Sequence, residues 1–272
     1  MNVTRATSPD GHAAKRQCKH TGPPLYSDLD LSKLTIDTKP LGSNEIQHAS
    51  VKYDGMRLAV QLEDVNSGSL RVPFGIDDGS KFSGKPSLKL ELPDAQCALL
   101  RGIEHKIKEA AVENKATWFR PIKPLPDDAV VRSSFNSRLH QDDAGNYPPS
   151  LKVNVNLSDD KKTKLEVLLT RRTPDGKITQ PTKGLPSDVI RGCSVVPVLR
   201  TVGGVWISVN AKKKTVDYGL VLEATHVMVI EEPAASSAFN LGGVEVAEEE
   251  EETSEDSGVA TFGGAFGGQF DN

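Results

Sequence analysis

Between residues 31 and 230 the chain is a succession of short apolar or alternating segments, each cut off by turn residues, and pieces of that length and pattern assemble into sheets rather than helical bundles. The segments are 31–36, 56–62, 70–74, 88–92, 151–157, 165–170, 194–199, 205–209 and 217–230. Asp77-Asp78-Gly79, Thr173-Pro174-Asp175-Gly176 and Val202-Gly203-Gly204 read as turns, because Gly tolerates positive φ and Asp and Pro favour chain reversal. The fold expected is mainly β, a barrel or a sandwich. One segment departs from it. From an Asp94 cap after Pro93 to about Trp118, the residues Leu99, Ile103, Ile107 and Ala110 recur at helical spacing and predict one amphipathic helix. Arg101, Lys108 and Lys115 fall on its opposite face, which reads as solvated, and only Lys106 points toward the core.

The chain has 272 residues, of which 37% are hydrophobic, a lean share for a packed globule. A folded domain over 29–230 is therefore expected between an arm, 1–28, and a tail, 231–272, both too polar to offset their ordering entropy and read as disordered. The net charge of −4 hides a segregation. Eleven acidic residues and no Lys or Arg lie in 231–272, which leaves 33 basic against 26 acidic side chains in 1–230, a balance of +7. A basic body with an acidic tail points to a polyanion partner and a tail that competes for the same surface.

No apolar run approaches the length of a membrane span, and 1–20 has no apolar stretch of a secretion signal, so an intracellular protein without membrane association is expected. Cys18, Cys97 and Cys193 have neither disulfide nor zinc spacing. Cys18 with His12 and His20 lacks the second ligand pair that a structural zinc requires. Motifs of serine hydrolases, phosphate loops and zinc proteases are missing, and the Gly263–Gly268 run has no strand before it or helix after it. His226, inside the apolar run 224–230, reads as packed or hydrogen-bonded, and Asp77-Asp78, Asp127-Asp128 and Asp142-Asp143 read as solvated turns. The expectation is a binding protein without catalytic residues, metal or cofactor.

Basic residues interleave with the strands of the second half: Lys152, Lys161, Lys162, Lys164, Arg171, Arg172, Lys177, Lys183, Arg191, Arg200, Lys212, Lys213 and Lys214. A single-stranded nucleic acid needs such cations along its phosphates and aromatic faces for its bases. Binding with strong salt dependence and little sequence preference follows. Trp206 and Tyr218 are the candidate aromatics. Alternation in 205–209 puts Val205, Ile207 and Val209 on one face and Trp206 with Ser208 on the polar one, where the indole can stack a base or cover a barrel end. Tyr218 shares its face with Leu220 and Leu222, which suit a core. Lys212 to Lys214 fall in a hairpin turn between two strands.

The run from Cys193 to Arg200, then Gly204 to Asn210 and Tyr218 to Glu223, with the glutamate run and the final Gln269-Phe270-Asp271-Asn272, resembles the podophage type of single-stranded-DNA-binding protein, relatives of which occur in large DNA viruses of algae and amoebae. The resemblance implies an OB-like barrel, a homodimer, and a role in coating exposed strands in replication, recombination and repair at a site of viral or nuclear DNA replication. It also implies that the tail, through Glu248, Glu249, Glu250, Glu251 and Glu252 with Phe266 and Phe270, contacts a replicative DNA polymerase and a helicase-primase. Here Gly-rich sequence separates Glu255-Asp256 from Phe270, whereas such tails usually pack the aromatic residue among acids. Two other readings suit an acidic-tailed β protein, a chaperone for basic proteins and a β-sandwich virion protein; the +7 body disfavours the first.

Overall fold

The computed structural model describes residues 22–43, 46–80, 84–142, 144–158 and 164–232. Ten strands carry the argument: β1 (Leu34–Ile36), β2 (Ile46–Ala49), β3 (Val51–Tyr53), β4 (Ala59–Gln61), β5 (Leu70–Arg71), β6 (Ser87–Glu91), β7 (Ser150–Val155), β8 (Glu166–Arg171), β9 (Ser194–Asn210) and β10 (Thr215–Glu231). The last two are 17 residues each and form an antiparallel hairpin around which the rest is arranged. The first half of β9 pairs with β4 and β5, its second half with β2. On the other side, β10 runs parallel to the end of β7 and then to β8, and β6 continues the sheet beyond β7. A separate three-stranded sheet is made by β1, β3 and Met56–Arg57.

The mainly β expectation with one long helix is met, but the sheet is not closed as a barrel. Its path runs from Leu41–Gly42 at one end to Ile76–Asp77 at the other, and no pairing among the described residues joins those ends. The long hairpin instead changes neighbours along its length at two irregularities. At the first, Thr201 faces Leu222 and Val205 faces Leu220, so three residues of β9 stand opposite one of β10. Val202-Gly203-Gly204 is therefore a bulge inside one continuous strand, not the turn expected between two. Gly204 lies at φ +80°, and a Cβ there would run into the Ala49 carbonyl oxygen of β2. Only glycine fits.

At the second irregularity Leu199 faces Ala224 while Val198 faces His226, which leaves Thr225 as the extra residue. Before it the even residues of β10, from Val216 to Ala224, are buried; after it the odd ones, Val227 and Val229, are. The bulge thus re-aims His226 and Met228 to the outer face.

The helix α1 (Asp94–Glu113) starts at Pro93 as N-cap, with Asp94 in the first turn rather than as the cap expected, where its charge suits the helix dipole. Its buried stripe is Cys97, Leu100, Ile103, Ile107 and Ala111, one residue round from that expected, with Leu99 and Ala110 half-buried. Asn114 ends it, its Nδ2 donating to the Ala110 carbonyl oxygen at 2.8 Å, and the short α2 (Lys115–Trp118) follows. The cations opposite have partners in the protein: Lys115 meets Asp128 at 2.6 Å, Lys108 lies 5.0 Å from the centre of the Phe135 ring, and Arg101 donates to Gln141. Lys106 is half-buried beside Leu34 and Ile36.

Trp118, Phe119 and Tyr218 form a fully buried aromatic cluster edged by Phe135. Of the paired acids, Asp77, Asp78 and Asp142 accept hydrogen bonds from backbone N–H groups two to four residues on, as turn residues do. Among the described residues no helix is long and apolar enough to cross a membrane.

Pro24 accepts from the Gln61 N–H at 2.9 Å and Leu25 bridges Gln61, and at the other end β10 includes Glu231. Cys18, His12, His20, Lys161, Lys162, Asp143 and every tail residue from 233 on lie outside the described residues.

Candidate nucleic-acid interface

The outer face of the sheet, across β4, β9, β10 and β8, is the floor of an open groove of about 710 Å³. Pairing register lines up its residues in rows. Gln61, Val198, His226 and Glu166 stand side by side, one from each strand. Val196, Met228 and Leu168 make the next row, and Lys183 of the short strand Thr182–Lys183 extends it. Gly22, Pro23, Pro24, Tyr53, Met56 and Arg57 line the sides, together with Lys164 and Arg200.

The floor is apolar through Val196, Val198, Met228, Leu168 and Ala59. Its polar members hold one another: the Thr225 hydroxyl donates to the Val198 carbonyl oxygen at 3.4 Å, His226 Nδ1 lies 3.1 Å from that hydroxyl, and His226 Nε2 lies 3.2 Å from Glu166 Oε2. His226 is exposed here and hydrogen-bonded. Of the two readings that the run 224–230 allowed, packed or hydrogen-bonded, the second holds, because the Thr225 bulge turns the ring to the outer face. Arg57, Lys164, Arg200 and Lys183 are all exposed, so a surface that takes flat apolar groups is edged with positive charge.

Farther along β9, Trp206 is half-buried on the outer face while Val205, Ile207 and Val209 are buried, as alternation predicts. Its cross-strand neighbours are His48 on β2 and Gly219 on β10. A Cβ at Gly219 would come within 3.0 Å of the indole Nε1, so the absence of a side chain there lets the ring lie down on β10.

Tyr218 belongs elsewhere. It is fully buried, its ring packs 5.4 Å from Phe135 and 6.5 Å from Trp118, and its hydroxyl has no hydrogen-bond partner among the described residues. Burial pushes that phenol up to about 12. A ring held in the core cannot stack a base, so Tyr218 leaves the candidate site; its even-numbered neighbours Val216, Leu220 and Leu222 are core for the same reason.

The sequence-predicted cations divide into groups. Arg200 and Lys164 line the groove, and Lys183 stands beside it in register with Leu168. Arg171 donates through Nε and Nη2 to Glu231, at 3.1 and 2.9 Å, and Arg172 donates to the Val65 carbonyl oxygen at 3.3 Å with Glu232 at 3.8 Å, so both are engaged by the end of β10. Lys177 pairs with Asp175. Lys212, Lys213 and Lys214 are exposed at the tip of the β9–β10 hairpin, where Lys213 N–H donates to Asn210 Oδ1. Lys152 stands in register with Lys89, whose ammonium lies 5.5 Å from the centre of the Phe74 ring, and the Arg191 backbone nitrogen lies against Gly75. Arg57, Gln61, Tyr53 and Met228 were not anticipated, since only nonlocal pairing places them together; the exposed Met56–Arg57 between apolar neighbours was the single local hint.

No protein-family model matches this chain, and no curated protein matches it. Among solved structures, similarity is found to gp2.5, a single-stranded DNA binding protein encoded by bacteriophage T7, at 16% identity and TM-score 0.35 over 69% of this chain and 95% of that one. It is also found to the single-stranded DNA-binding protein from bacteriophage Enc34 in complex with ssDNA, at 16% identity and TM-score 0.33 over 72% of this chain and 96% of that one. The same phage protein in a second structure gives 15% identity and TM-score 0.31, over 75% and 95% respectively.

Proposed function

We propose that this chain binds single-stranded DNA along the outer face of its sheet and catalyses no reaction. The observation that carries the reading is the groove itself, an apolar sheet floor edged by Arg57, Lys164, Arg200 and Lys183. Unpaired bases offer flat apolar faces to such a floor while their phosphates meet the cations at its edges. In a duplex those base faces are already stacked and out of reach, so single strands are preferred. The protein coats exposed strands during replication, recombination and repair, as a homodimer, inside the cell at the site of viral or nuclear DNA replication.

Trp206 extends this surface. Oligonucleotide should quench its fluorescence, and Trp206→Ala should cost about 1–3 kcal/mol of binding while the protein stays folded. Normal binding with early melting would instead make the indole a packing residue.

The tail supplies the regulation. Its nine acidic residues beyond Glu232 imitate a phosphate backbone, and a tether of this length holds them at roughly millimolar effective concentration. DNA displaces the tail from the groove, which frees Glu248 to Glu252, Phe266 and Phe270 for a replicative polymerase and a helicase-primase. Deleting 233–272 spares Glu231 and Glu232, the partners of Arg171 and Arg172. That truncation should bind single strands more tightly, most of all at low salt, and lose stimulation of the polymerase; Phe270→Ala should lose stimulation alone. A truncation equal to the full chain in both assays would refute this role.

A further inference from the structure

Phe74 is 67% exposed on the loop after β5, although a phenyl ring in water loses the burial that normally justifies it. Its position is set by the backbone. Gly75 stands at φ +75°, and a Cβ there would come within 3.0 Å of the Val189 carbonyl oxygen and 3.4 Å of the Arg191 nitrogen, so this loop is held against the 189–191 segment. On its other side the Lys89 ammonium lies 5.5 Å from the ring centre. Lys89 on β6 faces Lys152 on β7 in register, and cross-strand partners project to the same side of a sheet. The exposed ring thus has the Lys89 ammonium beside it, with Lys152 next to Lys89 on the same face of the sheet and the Arg191 backbone against the neighbouring Gly75. The acids nearby are already engaged: Glu91 lies 3.7 Å from Arg71, and Asp77 and Asp78 accept from the Gly79 and Ser80 N–H groups.

We propose that this patch is a second contact for single-stranded DNA, in which Phe74 stacks a base and Lys89 and Lys152 hold the flanking phosphates. The inference rests on the groove reading, and adds a surface of which no groove-lining residue is part. A ring that presents a π-face beside ammonium groups suits a nucleobase with its phosphates, because stacking is indifferent to base identity and the cations answer the backbone charge.

The test is the binding of the full chain to an unstructured oligonucleotide of about 16 nucleotides, near the upper end of single-domain sites. Phe74→Ala should weaken binding about 5- to 150-fold, Phe74→Trp should restore it, and Lys89→Ala with Lys152→Ala should flatten the salt dependence. Because Phe74 is exposed, thermal unfolding of the alanine variant should match the parent. Phe74→Ala bound as tightly as the parent would overturn the second contact and leave the groove reading standing. A parent chain that does not bind the oligonucleotide would overturn the groove reading, and this inference with it.

Discussion

Replacing Arg57, Lys164 and Arg200 together by alanine is expected to reduce the slope of log K against log salt by about 2, since each phosphate neutralised on a single strand contributes about 0.7. The three come from separate parts of the chain, a short hairpin, the approach to β8 and the middle of β9, and meet only because β4, β9, β10 and β8 are neighbours. All three are exposed, so folding should be unaffected. The comparison is a second variant with Arg101, Lys108 and Lys115 changed to alanine. Arg101 and Lys108 on α1 and Lys115 on α2 have partners in the protein, and their loss should leave the slope where it was. Equal slopes for the groove variant and the parent, from isotherms at four or more salt concentrations, would remove the groove from the binding surface.

The two tryptophans should separate binding from stability. Trp118→Ala is expected to cost about 3–5 kcal/mol in urea unfolding, as large-to-small changes of buried aromatics do. Its indole is fully buried, donates through Nε1 to the Thr38 carbonyl oxygen at 3.2 Å, and meets Phe119 and Tyr218 edge-on at centroid distances of 6.4 and 6.5 Å. Removing it opens a cavity where α1, α2 and β10 meet and leaves a backbone carbonyl without its donor. Trp206→Ala, on the outer face, should leave the unfolding midpoint nearly in place and weaken DNA binding. A Trp118→Ala midpoint indistinguishable from the parent would contradict the packing described.

What sequence revealed and what it hid follow from how far each feature reaches along the chain. The tip half of the long hairpin was legible, because 205–209 and 217–222 alternate locally and Lys212 to Lys214 mark the reversal. The helix was legible because its apolar spacing lies within some twenty residues, and the one-residue rotation of its stripe reflects the tertiary choice of Cys97 and Leu100 over Leu99. The core position of Tyr218 was written in the parity it shares with Val216, Leu220 and Leu222. The bulges were not legible. Gly203-Gly204 has the composition of a turn, and only the approach of β2 makes it a bulge in a continuous strand. At Thr225 nothing in the local sequence announces the extra residue that turns His226 outward. The groove was hidden for a similar reason: its central row joins Gln61, Val198, His226 and Glu166 over more than 160 residues of chain, and register of that kind is decided by the packed sheet.

In the proposed mode of binding, the outer face of this sheet holds unpaired bases over an apolar floor and phosphates on its cationic edges. The most direct measurement is a salt-titrated binding isotherm of the full chain on single-stranded DNA and on duplex DNA of the same length. Tight single-strand binding that weakens linearly in log K with log salt, and clearly weaker duplex binding at every salt concentration, is the result predicted. Single-strand affinity that is unchanged by salt, or no tighter than duplex affinity, would contradict it.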